Sequence, residues 1–564
     1  MQEKIIKTKV CTGCNSSFEI TDKDMEFYDK VSPKFNGEKF QVPSPSLCPA
    51  CRSQRRLAYR NDRSLYKSTC ALTKKSIISM YNPDNNFIVW EQKEWWKDNW
   101  DALDYGKEFD FGKTFFEQFF DLKKQIPHFN LFNLDTENCE YVNYAPHCKD
   151  CYLLFWSWLN DNCFYSQTLN ECNNSIDNLF LNKSEFCYEN IDCNNNYASV
   201  WCQNCNDTSN CYFCFDCVNT KNCIWCYNLR NKEYCIWNKQ VTKEEFELEK
   251  AKFSSYNYFE KVRKYFIESK KKNAIFASFT WANNENVSWD FVFNSKNAKN
   301  CFSTYESENV AFSARLFWWK DVYDFDWGWK SEILYENMSN DFSNNSIWCT
   351  TCEKLSNSYY CDLCFNNEYL FWCIGLKNNK QYCILNKQYT KEEYEILVPK
   401  IIEHMKKTGE WWEFPPIKYS PFTYNETMAQ EYYPLKQEEA EKKWFNWSTF
   451  EQPIPKVEKI IPANKLPDNI SDIPDDILNW AIECEITKKP FRIIVQELEF
   501  YRKHNLPIPK RHPDQRHLDR MALRNPRKLF DRKCDKCGVD MKTTYSPDRE
   551  EIVYCEECYN KEIY

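Results

Sequence analysis

The chain has 564 residues, a formal net charge of −8, 32 cysteines, 8 glycines and 6 histidines. This length is enough for about three or four domains, and hydrophobic and aromatic contents of 43% and 17% exclude a disordered protein. Few glycines and no GxGxxG, Walker A or GxSxG motif argue against nucleotide-binding folds and ordinary metabolic enzymes. We therefore expect no catalytic residues and no small-molecule substrate.

The cellular compartment is inferred from the N-terminus and the apolar runs. MQEKIIKTKV lacks the apolar core of a signal peptide. No apolar run reaches the roughly eighteen residues that a membrane span needs. We expect a cytoplasmic protein without membrane contact whose thiols are mostly reduced, and a disulfide-rich protein is the alternative.

Residues 1–96 are predicted to form an N-terminal zinc module. Two CxxC pairs supply the four thiolates of a closed tetrahedral site, which stabilises a fold and leaves no position open for chemistry. The metal ligands are Cys11, Cys14, Cys48 and Cys51. The arginines that follow share one face at helical spacing, so they predict phosphate contact, or pairing with acidic groups of this same chain. They are Arg52, Arg56, Arg60 and Arg63.

A triplet cysteine pattern fills the centre of the chain. After a helical connector at 97–138, fifteen cysteines between Cys139 and Cys235 all lie at multiples of three from Cys139, and the longest column has a step of twelve. Such a short fixed period predicts a thin β-solenoid at 139–235 with Cys, Ser, Thr, Ala and Val inside. The pattern resembles the twelve-residue Cys/Ser/Ala coils of insect antifreeze β-helices, in fold only. Metal or iron–sulfur ligation by the CxxC pairs inside this repeat is the alternative.

A second β-solenoid is predicted at 289–383, and each solenoid is followed by a capping helix. Capping boxes at Thr242–Glu245 and Thr390–Glu393 start these helices, within 236–288 and 384–408. Trp319 and Phe325 occupy the inward phase, so we expect a bulge, loop or widened coil there. Residues 409–483 form a Pro- and aromatic-rich connector, with a helix expected at 474–484.

Residues 484–564 repeat the N-terminal module with complementary losses. The second copy keeps the four-cysteine set Cys534, Cys537, Cys555 and Cys558. Its other position has degraded to Cys484, Thr487, His512 and Gln515, while the first copy has lost the set at Cys70, Thr73, Glu91 and Glu94. We expect two zinc ions, and a half site of Cys484 with His512 stays open. A basic tract flanks this module and predicts contact with nucleic acid, in particular structured RNA, or a counter-surface for the acidic remainder of the chain. The named residues are Lys510, Arg511, Arg516, Arg520, Arg524 and Arg527.

Five motifs of the chain are distinctive: Cys11-Thr-Gly-Cys14, the segment from Leu47 to Leu57, the segment from Tyr382 to Tyr394, Ser420-Pro-Phe-Thr-Tyr-Asn-Glu-Thr and Arg516-His-Leu-Asp-Arg-Met. Together they resemble large Cys-rich zinc-ribbon proteins of candidate-phylum bacteria with reduced genomes. The resemblance covers nearly the whole chain and implies no particular activity.

The predicted fold is mainly β: two thin twelve-residue solenoids, each capped by a helix, between zinc-ribbon or treble-clef-like modules. The first functional hypothesis is a non-enzymatic scaffold that contacts nucleic acid or a ribonucleoprotein. The alternatives are a protein-interaction scaffold that uses aromatic solenoid faces, and a thiol-based metal or redox buffer.

Overall fold

The fold of the computed structural model is mixed and sheet-rich, with 31% strand and 25% helix. The structure describes residues 3–279, 281–288, 290–451, 453 and 455–564. Helices contribute more than the expected mainly β fold implies. No helix in these ranges combines the length and apolar character that crossing a membrane requires.

The chain divides into two compact units, each assembled from two separate stretches. Unit 1 comprises Met1–Leu131 with Phe279–Phe450, and unit 2 comprises Phe132–Ser278 with Glu451–Tyr564. Unit 1 therefore joins the N-terminal module to the second repeat, and unit 2 joins the first repeat to the C-terminal module. Each module buries its apolar side against a repeat that lies far from it in sequence.

The helices are numbered in chain order. They are α1 Asp22–Lys30, α2 Pro49–Leu57, α3 Gln92–Trp95, α4 Phe115–Gln125, α5 Lys243–Ala251, α6 Tyr256–Asn273, α7 Lys391–Thr408, α8 Met428–Tyr432, α9 Gln437–Lys442, α10 Val495–Lys503, α11 Pro513–Met521 and α12 Glu556–Ile563. Short 3-10 helices span Ala102–Tyr105, Lys252–Ser254, Ile417–Tyr419, Tyr424–Glu426, Ala463–Lys465, Ile470–Asp472 and Asp475–Asn479. Helix α4 and both capping boxes are confirmed. The helix expected at 474–484 is wrong, because this stretch forms a short 3-10 turn and then the strand Ala481–Glu483.

Short strands build the modules around the two repeats. They are Ile5–Val10, Ser17–Thr21, Lys34–Phe35, Glu38–Lys39, Tyr66–Thr69, Ser76–Ser79, Val89–Trp90, His128–Phe129, Ile275–Ala277, Ile460–Pro462, Ala481–Glu483, Pro490–Phe491, Phe530–Lys533, Asp540–Thr543 and Ile552–Tyr554.

Parallel pairs twelve residues apart build the first repeat, which we call the first ladder (residues 137–240). Asp161 pairs with Asn173, and the same offset continues through single bridges such as Glu185 to Tyr197. The strands are Tyr152–Phe155, Asp161–Asn170, Asn173–Ile176, Leu179–Asn182, Ile191–Asn194, Lys221–Ile224, Glu233–Ile236 and Lys239–Gln240. The period of twelve read from the cysteines is therefore the period of strand pairing.

The second ladder (residues 281–388) repeats this pairing. Its strands are Trp281–Ala282, Glu285–Val287, Val292–Phe293, Lys296–Lys299, Phe302–Tyr305, Glu308–Ala311, Ala314–Phe317, Lys320–Trp329, Glu332–Asp341, Asn344–Ile347, Thr350–Tyr359, Phe365–Phe371, Gln381–Ile384 and Lys387–Gln388. The offset is eleven at the start, where Glu285 pairs with Lys296, and twelve in the middle, where Lys320 pairs with Glu332. Near the end, Glu368 pairs with Gln381 at thirteen. This extra residue moves Cys383 out of the triplet phase but keeps it buried.

Every third residue of the first ladder has a left-handed backbone. From Asp135 to Trp237 these residues have φ between 46° and 61°, and each is followed by a residue of the cysteine phase. Sixteen of the thirty-five are Asn or Asp, the non-glycine types that tolerate this region best. The left-handed backbone at these positions thus explains why Asn and Asp are frequent there, which the cysteine pattern did not indicate.

The cysteine phase of the first ladder is buried. Fourteen of its fifteen cysteines are at most 3% exposed. The thiol of Cys163 donates to the carbonyls of Asp161 and Cys172, at 3.4 Å each, and the hydroxyl of Ser175 donates to that of Asn173 at 2.8 Å. Serine therefore replaces cysteine in this phase because both are small groups that can donate to a nearby carbonyl.

Trp319 and Phe325 fit the buried phase without a register break. The offset remains twelve on both sides of them, so the bulge or loop expected there is wrong. Their rings lie 4.4 Å apart, and Trp319 Nε1 donates to the carbonyl of Gly328 at 2.9 Å. A Cβ at Gly328 would lie 2.8 Å from Trp319 and 2.9 Å from Phe325. The missing side chain of Gly328 therefore makes room for the two rings.

Candidate metal centres and docked arginine helices

A four-cysteine group lies where the first hairpin meets α2. One sulfur from each of Cys11, Cys14, Cys48 and Cys51 lies within 4.8 Å of the others. Cys11 follows the strand Ile5–Val10, Cys48 caps the N-terminus of α2, and Cys51 lies in its first turn. The backbone N–H of Cys48 donates to Cys11 Sγ at 3.2 Å. Four thiolates in this arrangement could hold one metal ion and would close its coordination sphere.

The second group has the same construction in unit 2. Cys534, Cys537, Cys555 and Cys558 also place their sulfurs within 4.8 Å of one another. Cys555 caps α12, and its N–H donates to Cys534 Sγ at 3.2 Å. Both predicted ligand sets are therefore brought together as two separate groups.

The degraded positions keep the backbone of the metal-binding turn. The N–H groups of Cys11, Cys70, Cys484 and Cys534 each donate to the carbonyl five residues later, at 2.9, 2.9, 3.0 and 2.9 Å. The fourth residue after each has positive φ: Asn15, Lys74, Lys488 and Gly538. At Cys70 the N–H of Glu91 donates to Sγ at 3.3 Å, as the N–H of Cys48 does at Cys11. Four copies of one turn thus exist, and two of them retain all four cysteines.

Neither degraded position assembles a metal-binding group. Within the described ranges, the two four-cysteine sets are the only groups of three or more candidate ligands. The half site of Cys484 with His512 gains no third ligand, and the ring nitrogen Nδ1 of His512 accepts from the N–H of Asp514 at 3.2 Å. Among the described residues, the cysteines of the two ladders form no group of three mutually close ligands, which does not support ligation by CxxC pairs inside the repeats.

Backbone amides favour the thiolate at these turns. Burial opposes ionisation of Cys534, but the N–H groups of Cys537, Cys555 and Lys536 outweigh it and lower the pKa to about 6. At Cys484 burial is likewise outweighed, by Thr487 and by the N–H of His512, so its pKa is also lowered. Thiolates are the form that binds metal.

The arginines of the N-terminal module are buried against the second ladder. Arg52, Arg56 and Arg60 are at most 1% exposed. The carboxylate of Asp324 lies 2.9 Å from Arg52 Nη2 and 3.2 Å from Arg56 Nη1. Asp326 lies 3.1 Å from Arg56, and Arg60 pairs with Asp62 at 2.7 Å. Helix α2 ends at Leu57, so Arg60 and Arg63 follow the helix instead of extending its face; Arg63 is partly buried.

The basic residues of the C-terminal module are occupied in the same way. Arg516 and Arg520 are 3% exposed and both pair with Asp177, Arg520 at 2.9 Å. Arg524 pairs with Asp192 at 2.8 Å. Arg511 contacts Glu260, Glu485 and Asp519 at 2.7–3.1 Å. Lys510 is 8% exposed and Arg527 is partly buried.

This placement does not support the expectation that these side chains contact nucleic acid. None of the ten named residues is exposed, and most are committed to carboxylates of their own unit. The alternative of pairing with acidic groups of the same chain describes their geometry. A phosphate contact needs a guanidinium that solvent can reach.

The contact of Arg52 with Asp324 in unit 1 and that of Arg516 with Asp177 in unit 2, which we call the docking contacts, occupy equivalent positions. The sequence analysis did not identify the two aspartates. Arg52 and Arg516 are 464 positions apart, as in the module repeat, while Asp324 and Asp177 are 147 apart. The cysteines of the ladders recur at the same offset, for example Cys349 and Cys202. Aligning the two ladders at 147 would have identified both aspartates, which lie in the left-handed phase of their ladders.

A second contact joins each ladder to the other helix of its module. In unit 2, Arg230 Nη2 lies 3.2 Å from Asp216 and 2.9 Å from the hydroxyl of Tyr559 on α12, which itself contacts Asp216. In unit 1, Lys377 occupies the position of Arg230, and its Nζ donates to the carbonyls of Trp95 and Lys97 at 2.9 and 2.8 Å. Each module is therefore held at two points.

Comparisons with known proteins give no further evidence about the fold or the function of this chain. No family model and no curated protein matches the chain. A solved structure named "putative acetyltransferase from Desulfovibrio desulfuricans G20" aligns over 49% of this chain and 81% of its own, at 10% identity and a TM-score of 0.09. At that TM-score the likeness carries no argument about fold or activity.

Proposed function

We propose that the protein is a non-enzymatic scaffold in which each unit is stabilised by one structural zinc ion. The closed four-cysteine sets support this, because tetrahedral S4 ligation suits Zn²⁺ and leaves no open position for a substrate. The two ladders are proposed to be thin twelve-residue solenoids, each wound around its buried triplet phase. The unbroken offset of twelve in the first ladder and the buried thiols support that proposal.

The partner of this scaffold is proposed to be a protein and not a nucleic acid. The observation that carries this choice is the internal commitment of both arginine clusters. The second ladder instead presents an outward aromatic column. Phe293, Tyr305, Phe317 and Trp329 stack at centroid spacings of 5.1, 4.9 and 5.6 Å, and Trp318 beside them is 48% exposed. The four stacked rings are partly buried, and aromatic groups at a surface are enriched at protein interfaces.

Elemental analysis of the native protein tests the metal assignment. About two zinc ions per chain are expected, and zero, or a number near eight, would overturn it in favour of a metal-free protein or a thiol buffer. A mobility-shift titration with structured RNA at two salt concentrations tests the choice of partner. We expect no binding that weakens with salt, and a steep salt slope would restore the nucleic-acid hypothesis.

A further inference from the structure

The two four-cysteine groups stand beside different docking contacts. Cys51 is followed directly by Arg52, which reaches Asp324, so the first group adjoins the arginine contact of unit 1. Cys558 is followed directly by Tyr559, which reaches Asp216, so the second group adjoins the tyrosine contact of unit 2. The complementary loss of cysteines has therefore left the complete four-cysteine group at a different contact in each unit.

The arginine helix of unit 2 is held at its N-terminus without metal ligands. Gln515 of α11 stands where Cys51 stands in α2. Instead, the guanidinium of Arg511, just before α11, pairs with three carboxylates. They are those of Glu260 in α6, Glu485 and Asp519, at 3.1, 2.7 and 2.8 Å. This network ties the start of α11 to α6 and to the degraded turn that begins at Cys484. A partly buried network of three carboxylates around one guanidinium can replace the cross-link that a metal supplies.

We infer that the metal sites form an asymmetric release device: loss of metal frees the arginine helix from its ladder in unit 1 only. In unit 1, α2 loses the anchor of its first turn and its buried arginines lose their fixed geometry. In unit 2, metal loss frees α12 and Tyr559, whereas α11 stays docked through Arg511 and Asp177. This inference rests on the proposed zinc binding, because metal affinity supplies folding free energy only if the ion binds.

Hydrogen exchange on the full chain tests this inference, with zinc content measured on the same samples. Cys51→Ser should lose one zinc and raise exchange in α2 about 100-fold, while α11 and α12 keep their protection. Cys558→Ser should lose one zinc and deprotect α12, while α2 and α11 are unchanged. Arg511→Gln should keep both zinc ions and deprotect α11.

The possible failures are distinguishable. Loss of one zinc from Cys51→Ser without deprotection of α2 overturns the inference and leaves zinc binding intact, as does deprotection of α11 in Cys558→Ser. Absence of zinc from the unsubstituted chain overturns both proposals. If Cys51→Ser prevents unit 1 from folding, Cys14→Ser at the exposed ligand is judged by the same criteria.

Discussion

The guanidinium of Arg52 lies 2.9 Å from the carboxylate of Asp324, and both side chains are at most 1% exposed. The equivalent residues Arg516 and Asp177 form the same pair in the other unit. A buried ion pair adds modest net stability, but removing one partner leaves an uncompensated charge. The pair therefore specifies how a module sits on its ladder.

Replacing the acidic partner should destabilise unit 1 strongly. Asp324→Ala leaves the buried Arg52 and Arg56 without their shared carboxylate, so we expect a loss of about 3–5 kcal/mol in the free energy of unfolding. Urea unfolding followed by hydrogen exchange in unit 1 measures it. The control is Lys23→Ala, since Lys23 and Glu26 are 49% and 64% exposed and solvent screens their pair, so its removal should change the stability little. Similar losses in the two variants would contradict this role for Asp324.

Glu189 should make unit 2 less stable as pH rises. It occupies the position of Glu336, which pairs with Arg55 at 2.8 Å in unit 1, but Asp519 stands where that arginine would be. Burial raises the pKa of Glu189 from 4.5 to about 7, and Arg263 opposes the rise. Below pH 4.5 both folded and unfolded states are protonated; above it the unfolded state ionises first, and the stability from protonated Glu189 is lost as pH approaches 7.

Glu189→Gln isolates this titration. The variant should exceed the unsubstituted protein in stability at pH 8 by up to about 3 kcal/mol and differ little at pH 4.5. Urea midpoints of unit 2 at the two pH values provide the measurement. Glu336→Gln is the matched control, and because it breaks a pair with Arg55 it should destabilise unit 1 at pH 8. An equal gain from Glu189→Gln at both pH values would refute the titration.

Gly328→Ala should overpack the second ladder. The new Cβ would meet Asp341, Trp319 and Phe325 below 3.0 Å, so we expect a loss of about 1–3 kcal/mol. Gly112→Ala is the control, because its Cβ would approach only the side chain of Asp110 at 3.1–3.9 Å. Thermal unfolding of both variants compares them. The double variant Phe325→Leu/Gly328→Ala should recover part of the loss, and no recovery would show that the contact with Phe325 is not the cause.

We expect the two degraded turns, at Cys70 and Cys484, to bind no metal. Cys484→Ser and Cys70→Ser should each leave the zinc content unchanged, because neither cysteine belongs to a group of three candidate ligands in the described chain. Cys537→Ser should remove one zinc per chain. Elemental analysis after gel filtration measures this, and a lower zinc content in Cys484→Ser would show that the half site with His512 binds metal.

The metal ligands, the period and the helix starts could be read from sequence because each depends on near neighbours. A CxxC pair places two thiolates on one turn wherever it occurs. Thr242 and Glu245 satisfy backbone groups three residues away. The triplet phase of the cysteines fixes which residues face the buried side, and the offset of twelve fixes which residues pair.

The same local reasoning failed where a longer-range partner was decisive. The sequence predicts a bulge, loop or widened coil at Trp319 and Phe325, because volume alone excludes these rings from a narrow buried phase. The space comes from Gly328, nine positions later, and a pattern of single residues does not show that compensation.

From its sequence alone, the chain determined two closed cysteine sets, a twelve-residue repeat and a duplicated module, since these are matters of spacing and side-chain chemistry. Only the tertiary structure decided which groups the arginine side chains contact. An Arg-rich face has the same sequence signature whether it meets phosphate or carboxylate. The carboxylates that neutralise Arg56 belong to Asp324 and Asp326, 268 and 270 positions away, and a Coulomb interaction depends on distance in space.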